Sequence, residues 1–289
     1  MTPAPPKSVG VIGGGRMGAG IAQVFAAAGS AVTIVERDPA AAAAARDRVA
    51  MGLLRAAELG RLAEPVDDVL DRVVLAADVT GLPPDPELVV EAVPEDAGLK
   101  ARMLAAAEDV VGESALLATN TSSLSVSGLA AALRRPERFL GMHFFNPVPA
   151  SRLVEVVVAA ATTDAARDLA VGWTRALGKT DVVVRDSPGF ASSRLGVLLG
   201  LEAIRMLEDG VADAGSIDRA MELGYRHPMG PLRSTDLVGL DVRLAIAEHL
   251  HRELGERFEP PALLREMVAR GDLGRKTGRG FFIWEEGSA

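Results

Sequence analysis

Two side chains that could do chemistry interrupt a pair of apolar strands predicted within residues 141–158, GMHFFNPVPASRLVEVVV. His143 falls in the first strand and Glu155 in the second, with a proline-rich turn between them. An isolated carboxylate among apolar strands is strongly destabilising, so Glu155 needs a partner. A carboxylate beside an imidazole fixes its tautomer and stabilises the imidazolium, which suits a general base for a substrate hydroxyl. A structural ion pair is the alternative, and spacing alone does not decide between them.

A glycine turn near the N-terminus predicts a dinucleotide site. Gly13-x-Gly15-x-x-Gly18 follows an apolar strand and opens an alanine-rich helix, with Met17 inside the turn. Glycines at this spacing let the backbone approach a pyrophosphate, which then lies against the amide groups of the helix N-terminus. The motif alone is weak, but here the strand, turn and helix follow in the required order. A tight turn with no ligand is the alternative.

An acidic residue ends the strand that follows this helix. Glu36 lies 18 residues past Gly18, where a carboxylate accepts hydrogen bonds from the adenosine ribose hydroxyls and repels a 2′-phosphate. The expected cofactor is therefore NAD. Arg37 is adjacent, and a guanidinium binds phosphate well, so this residue leaves NADP open.

The elements that must position these residues alternate between strand and helix through the first two thirds of the chain. Apolar runs recur after the glycine turn, and the whole pattern predicts a doubly wound, mostly parallel sheet covered on both faces. These strand candidates cover residues 73–76, 87–93, 115–120, 138–145, 153–158 and 181–184. The predicted fold class is α/β, with an N-terminal Rossmann-type domain over residues 1–185.

After DSPGF, residues 186–190, the pattern becomes helical, and a C-terminal all-helical domain is predicted for residues 186–289. Helices are expected over residues 190–208, 216–223, 235–254 and 261–270, with a last strand candidate at GFFIW. The buried face of the first helix is expected to carry Leu195, Leu198, Leu199, Ile204 and Leu207.

Composition excludes several classes of function. The 289 residues carry a formal net charge of −8 and no cysteine, which argues against a nucleic-acid surface, a disulfide framework and thiolate chemistry. No metal site is expected, and no apolar stretch approaches the roughly 20 residues of a membrane span. The opening MTPAPPK is too short and too rich in proline for a signal peptide, so the expected location is the cytoplasm.

Motifs spread along nearly the whole chain resemble those of one enzyme family. HFFNP followed by RLVEVV, with ATNTSSLS before them, is similar to the L-3-hydroxyacyl-CoA dehydrogenases, including bacterial 3-hydroxybutyryl-CoA dehydrogenases. VVEAVPE, DSPGF, HPMGPLRSTDLVGLD and GRKTGRGFF also resemble segments of that family. The resemblance implies a homodimer formed through the helical domain and a hydroxyacyl thioester as substrate.

The resemblance also implies roles for individual residues. His143 becomes the catalytic base, Glu155 its partner, and Ser122 a hydrogen-bond donor to the reacting oxygen. Asn146 is expected in the same pocket. Glu95 and Lys100 are expected to contact the ribose on the nicotinamide side of the cofactor.

Two positions depart from the family pattern. The family continues PGF to an asparagine that helps to hold the substrate oxygen, whereas this chain has Ser193. Members that bind coenzyme A carry lysines near the end of the helix after Glu36, where this chain has only Arg55 and Arg61. Either these changes are neutral in an acyl-CoA enzyme, or the substrate differs.

Four other functions stay open. Relatives of the family act on hydroxyacyl groups held by an acyl carrier protein, such as glyceryl or seryl groups for polyketide extender units. Others oxidise free hydroxy acids such as gulonate or carnitine. The β-hydroxyacid dehydrogenases share the opening motif but use a lysine that residues 190–210 lack. A non-catalytic NAD-binding relative is the fourth, and the presence of Ser122, His143 and Glu155 argues against it.

Overall fold

The computed structural model describes residues 4–285 and divides the chain into two compact units between Ser187 and Pro188. Residues 1–3 of the opening segment and residues 286–289 of the predicted helical domain lie outside the described part. None of the described helices is long and apolar enough to cross a membrane.

The first unit is built on one sheet of eight strands. The strands are β1 Ser8–Ile12, β2 Ala31–Val35, β3 Val73–Ala76, β4 Leu88–Glu91, β5 Leu116–Thr119, β6 Phe139–Phe144, β7 Leu153–Val158 and β8 Thr180–Arg185. Their spatial order is β3-β2-β1-β4-β5-β6-β7-β8, and every neighbouring pair is parallel except β6 and β7. The predicted Rossmann-type architecture is confirmed. The strand order reverses between β1 and β4, where such sheets bind their ligands.

Six helices accompany this sheet, and side-chain caps begin several of them. They are α1 Arg16–Ala27, α2 Pro39–Glu58, α3 Val66–Leu70, α4 Ala97–Val110, α5 Val126–Ala130 and α6 Asp164–Ala176. Asp38 caps α2 by accepting from the amide of Ala41, and Pro39 fits the first helical position. Asp96 caps α4 in the same way. The main core lies between the sheet and these helices, with Val11, Ile34, Val90 and Phe25 fully buried.

The expectation that both faces of every strand are covered is wrong for the two outer strands. In β8, Val182 and Val183 are 38% and 45% exposed, and in β3, Val74 is 53% exposed. These strands lie at the edges of the sheet, where α6 contacts β8 and α2 contacts β3 without covering these side chains. An apolar run of β-branched residues therefore predicts that a strand forms, but it does not predict that both faces of the strand are buried.

The second unit is helical, as predicted. Its helices are α7 Ser192–Glu208, α8 Ala214–Tyr225, α9 Pro231–Val238, α10 Leu240–Leu254 and α11 Ala262–Arg270. The single helix expected over residues 235–254 is interrupted at Gly239, whose φ is +99°. A positive φ suits glycine and ends the α-helical backbone, so the segment forms two helices instead of one.

The predicted buried face of α7 is correct in part, because Ile204 is fully buried and Leu198 and Leu207 pack against the core of the second unit. The buried residues of α7 are Val197, Gly200, Leu201, Ala203 and Ile204, whereas Leu195 is 67% exposed.

The C-terminal GFFIW does not form a strand in the described part of the chain, where only isolated bridges join Gly274 to Arg279 and Arg279 to Ile283. The carboxylate of Asp236 accepts hydrogen bonds from the backbone amides of Phe281 and Phe282, each at 2.9 Å. A buried carboxylate on α9 thus replaces a neighbouring strand as the acceptor for this backbone.

The HPMGP motif has a structural explanation. The carboxylate of Asp218 on α8 accepts from the amides of Leu232 and Arg233 and so caps α9. A Cβ at Gly230 would lie 2.2 Å from the Cβ of Asp218, so only glycine fits.

Candidate active site

His143 and Glu155 are opposite partners in the antiparallel ladder of β6 and β7. The imidazole Nδ1 lies 2.8 Å from the carboxylate Oε2, and the two residues are only 5% and 1% exposed. The ring of Phe145 lies against the imidazole, with 4.4 Å between ring centroids. The structure therefore brings together the two residues that the sequence singled out.

This contact determines which imidazole nitrogen is chemically useful. The carboxylate accepts a hydrogen bond from Nδ1–H, so the neutral ring keeps its proton on Nδ1 and carries its lone pair on Nε2. Strand β6 runs two residues beyond its last pairing with β5, at Gly141, before it reaches His143. The imidazole thus lies at the carboxyl end of the parallel part of the sheet, the edge where such folds bind their ligands.

The segment after β5 is held by a carboxylate from the β4–α4 connection. Glu95 Oε1 accepts from the Thr121 hydroxyl at 2.5 Å, the Ser122 amide at 2.9 Å and the Ser123 amide at 3.1 Å. Ser122 is exposed on this turn. Asn120, which sequence reasoning missed, accepts from the Phe144 amide at 2.9 Å and so connects the turn to the strand of His143.

A buried ion network lies beneath Glu95. The Lys100 ammonium is 1% exposed and lies 2.8 Å from Glu91 and 3.3 Å from Glu95. It also donates to the Val93 carbonyl at 3.1 Å, which accounts for all three of its N–H donors. Burial raises the pKa of Glu95, but Lys100 and the donors of Thr121 and Ser122 outweigh it and leave that pKa below its usual value.

Glu91 was missed by the sequence analysis although it is fully buried on β4. Besides Lys100 it accepts from the Thr119 hydroxyl and the Val93 amide, both at 2.7 Å. The signal that found Glu155, a carboxylate inside an apolar strand, is also present in ELVVEAV. Applied a second time, it would have found this residue.

The glycine turn has the shape required by a dinucleotide. A Cβ at Gly18 would lie 1.8 Å from the Gly13 carbonyl, so helix and strand approach too closely for any other residue. Gly13 has φ +99°, and a Cβ at Gly15 would meet no atom within 4 Å. No side chain caps the N-terminus of α1, so its amide groups are the donors that a pyrophosphate would use.

A cavity of about 660 Å³ adjoins this turn at the switch point between β1 and β4. Its walls include Gly15, Met17, Glu36, Arg37 and Pro94. Glu36 Oε2 accepts from the Gly14 amide at 3.1 Å, which ties the acidic residue to the turn. The size, the glycine contacts and the acid fit the adenosine half of NAD.

Both halves of the chain match models of one protein family. Residues 8–187 match the NAD binding domain of 3-hydroxyacyl-CoA dehydrogenase, and residues 189–284 match its C-terminal domain. The chain belongs to the 3-hydroxyacyl-CoA dehydrogenase family. It is accordingly an NAD-dependent oxidoreductase, and its glycine turn and adjoining cavity lie in the family's NAD binding domain.

Several relatives of this dehydrogenase family match over nearly their whole length. A 3-hydroxybutyryl-CoA dehydrogenase of Mycobacterium tuberculosis is 43% identical over 96% of this chain and 98% of its own. The crystal structure of (S)-3-hydroxybutyryl-CoA dehydrogenase from Ralstonia eutropha is 39% identical, covers 97% of this chain and 100% of that one, and gives a TM-score of 0.92. An NAD⁺-dependent dismutase named for a pyridine carboxylic acid is 28% identical, with a TM-score of 0.77 and coverage of 97% and 91%.

Two further residues predicted for the active site, Asn146 and Ser193, are less buried than the His143–Glu155 pair. Asn146 is exposed in the loop after β6, just beyond His143. Ser193 is half-buried in the first turn of α7 in the second unit. That turn follows Gly189, whose φ is +73° and whose carbonyl accepts from the Arg194 amide at 2.8 Å. Within residues 4–285, no three His, Asp or Glu side chains are grouped as a metal site.

A buried lysine holds the loop between the two strands of the His–Glu pair. The Lys179 ammonium donates to the carbonyls of Val148 and Ser151, each at 2.6 Å, and burial lowers the pKa of Lys179. A lysine is rarely buried unless it is paired, and here the two carbonyls serve as its partners. Nothing in its local sequence, LGKTD, signals the two acceptors, which lie about 30 residues earlier in the chain.

A second cavity of the first unit, of about 520 Å³, lies beside the same loop. Pro147, Pro149 and Ala150 form one wall, and the ends of α1 and α2 form the other. Arg55 and Arg61 are its only cationic lining residues within the described chain. Arg55 also pairs with Glu58 at 3.0 Å on the exposed side of α2.

Proposed function

We propose that this protein interconverts a short-chain 3-hydroxyacyl-CoA, of the 3-hydroxybutyryl-CoA type, and the 3-oxoacyl-CoA. The observation that carries the proposal is the buried His143–Glu155 pair at the carboxyl end of the sheet. A base in that position suits removal of a hydroxyl proton, and the relatives named for 3-hydroxybutyryl-CoA support the acyl type.

In the proposed oxidation, His143 Nε2 takes the proton of the substrate C3 hydroxyl as hydride leaves C3. Glu155 holds Nδ1 and stabilises the imidazolium that results. In the reduction His143 returns this proton to the oxygen. The chemistry that NAD supplies when bound is acceptance or donation of that hydride.

We assign Ser122 and Ser193 as hydrogen-bond donors to the oxygen on the reacting carbon. Asn146 is assigned to the same pocket. A hydroxyl donor to this oxygen stabilises the charge that develops during hydride transfer. Glu95 supports the assignment of Ser122 because it fixes the backbone of the turn that carries it.

The shape of the first unit supports the following assignment of cofactor residues. Gly13, Gly15, Met17 and Gly18 hold the pyrophosphate side. Glu36 takes the adenosine ribose, and Arg37 lies at the rim of the same cavity. Glu95 is proposed to accept hydrogen bonds from the ribose on the nicotinamide side. The three N–H donors of Lys100 already have acceptors inside the unit, so Lys100 acts on the cofactor through Glu95.

The 520 Å³ cavity is the proposed place for the thioester's carrier. Its mostly apolar wall suits a pantetheine arm, and Arg55 and Arg61 suit the phosphates of coenzyme A. Two cations are few for so anionic a ligand, and that observation favours an acyl carrier protein as the second candidate. Arg61→Ala should raise KM for acetoacetyl-CoA several-fold and leave KM for acetoacetyl-pantetheine nearly unchanged. Equal KM changes for both would remove Arg61 from the coenzyme A site.

The division of labour is proposed as residues 1–185 for NAD and residues 186–289 for substrate contacts and for a homodimer interface. The cytoplasm is the proposed location. Size-exclusion chromatography with light scattering tests the dimer, and a monomeric mass would overturn it.

The first experiment is NADH consumption by the purified protein with acetoacetyl-CoA, followed by loss of NADH absorbance. Saturable turnover is the expected result. Bound NADH without turnover would overturn the coenzyme A substrate, and free hydroxy acids and carrier-protein thioesters would then be tried in its place.

A further inference from the structure

A deeply buried arginine in the second unit has no partner in the described part of the chain. Arg243 on α10 is 7% exposed, and its Nε has no hydrogen-bond partner. Burial is the one cause that lowers its pKa, to about 10, with no opposing ion pair or hydrogen bond. An unpaired buried guanidinium is costly, because it loses its hydration without compensation.

Three carboxylates of helices α8 to α10 are engaged by other groups. Asp241, two residues before Arg243, pairs with Lys276 at 2.6 Å. Asp236 accepts the amides of the C-terminal segment, and Asp218 caps α9. The second unit therefore builds a cationic position and leaves its counter-charge to something outside the unit.

The guanidinium lies along the glycine side of α7. A Cβ at Gly200 would lie 3.9 Å from Arg243 Nε, and a Cβ at Gly196 would lie 3.9 Å from Nη1. The side chain thus runs from Gly200 toward Gly196, in the direction of the N-terminus of α7. Larger residues at these positions would occupy the space of the guanidinium.

Ser193 lies on that same face. Residues 193, 196 and 200 follow the i, i+3, i+7 spacing of one helix side. At 1.5 Å per residue, Gly196 and Gly200 are about 4.5 and 10.5 Å from Ser193 along the axis. An acyl chain that starts at Ser193 and extends by about three to five carbons would reach the guanidinium.

We propose that Arg243 binds a carboxylate at the far end of the acyl group, so that the preferred substrates are 3-hydroxyacyl thioesters of dicarboxylic acids. The proposal rests on the proposed function, because it takes Ser193 as the contact of the reacting oxygen. A guanidinium and a carboxylate form charge-assisted hydrogen bonds, which are stronger still when desolvated. Ser193 and Gly196, which is exposed and has only Arg243 Nη1 within 4 Å of a Cβ position, make room for this longer, charged acyl group.

The test compares two substrates of equal length, 3-oxohexanoyl-CoA and 3-oxoadipyl-CoA, which differ in a terminal methyl or carboxylate. The wild-type protein should show at least about tenfold higher kcat/KM with 3-oxoadipyl-CoA. Arg243→Met should lower the ratio of the two kcat/KM values at least about 30-fold, mainly through KM of the carboxylated substrate, as expected for loss of one partner of a buried charge pair. Arg252→Met, an exposed arginine on the same helix, is the control and should leave the ratio unchanged.

Other outcomes separate the competing explanations. Turnover of 3-oxohexanoyl-CoA without a preference for the carboxylate would overturn this inference and leave the proposed function standing. Turnover of neither six-carbon substrate would overturn this inference if acetoacetyl-CoA is still turned over, and it would contradict the proposed function itself if acetoacetyl-CoA is also inert. Equal losses on both substrates in Arg243→Met would place a carrier phosphate at Arg243, and a change of oligomeric state would place a second copy there; each overturns the carboxylate proposal.

Thermal unfolding gives a readout that does not depend on turnover. Without substrate, Arg243→Leu should raise Tm, since it removes an unpaired buried charge and replaces it with an apolar side chain. The wild type should gain more stability from 3-oxoadipyl-CoA than from 3-oxohexanoyl-CoA, and the variant should lose this difference. A lower Tm for Arg243→Leu would indicate a structural role for the arginine and count against the proposal.

Discussion

Glu155 faces His143 across the antiparallel ladder of β6 and β7, with Oε2 2.8 Å from Nδ1 and both side chains buried. Such a pair cannot be rearranged without shifting the strand register, because a slip by one residue would turn one of the two side chains to the other face of the sheet. The imidazole is therefore held in one orientation by the sheet itself.

Removal of either member of the pair should abolish most of the turnover and spare the cofactor site. His143→Ala and Glu155→Gln should each lower kcat by about 10²- to 10⁴-fold, the usual contribution of a positioned base. Affinity for NADH, measured by fluorescence titration, should change little, since the glycine turn and Glu36 lie elsewhere on the unit. A His143→Ala variant with near-normal rates would show that the base is another residue.

Ser193 provides a test of the departure from the family asparagine. If the serine is a weakened donor to the substrate oxygen, Ser193→Asn should raise kcat/KM for acetoacetyl-CoA by about tenfold or more, because one such donor is worth about 100-fold in rate. Ser193→Ala serves as the opposite control and should lower it. No gain with asparagine would indicate that the pocket is shaped for another acyl group.

Lys179 should matter to both stability and rate although it lies outside the proposed chemistry. Lys179→Met leaves two buried carbonyls, of Val148 and Ser151, without a donor, at a cost of about 1–3 kcal/mol in the free energy of unfolding. The loosened loop should also reduce kcat several-fold. Lys276→Met removes an exposed lysine that pairs with Asp241, and it should change stability by less than about 1 kcal/mol. Urea unfolding of both variants makes the comparison, and equal effects would contradict the role given to Lys179.

The low pKa of Glu95 predicts an acid-dependent loss of stability. The pKa of Glu95 is below its ordinary value of 4.5 in the folded chain, so the folded state binds fewer protons than the unfolded state in this range. Its contribution is therefore complete above pH 4.5 and is lost as pH falls through the lowered pKa. The free energy of unfolding of Glu95→Gln should fall less steeply below pH 4.5 than that of the wild type. Parallel curves would mean that the carboxylate has the same pKa in both states.

The parts of the molecule that depend on neighbours in sequence were predictable from it. The glycine turn, the start of α2 at Asp38 and Pro39, and the division into an α/β and a helical half follow from local geometry. The same is true of the candidate status of His143 and Glu155, because a polar residue inside an apolar strand is visible in one line of sequence. Glu91 carries the same signal in ELVVEAV and was predictable in the same way.

Contacts between distant segments were decided only by the tertiary structure. Three contacts join residues far apart in the chain. Strand register places His143 opposite Glu155, and Lys179 donates to two distant carbonyls. The carboxylate of Asp236 accepts the backbone amides of GFFIW, which therefore does not form a strand. Arg243 is the clearest case, because a helical arginine is normally exposed, and only the packing of α10 against the glycines of α7 buries it. The sequence determines which chemical groups are present, whereas packing between distant segments determines which of them are buried and which partners they contact.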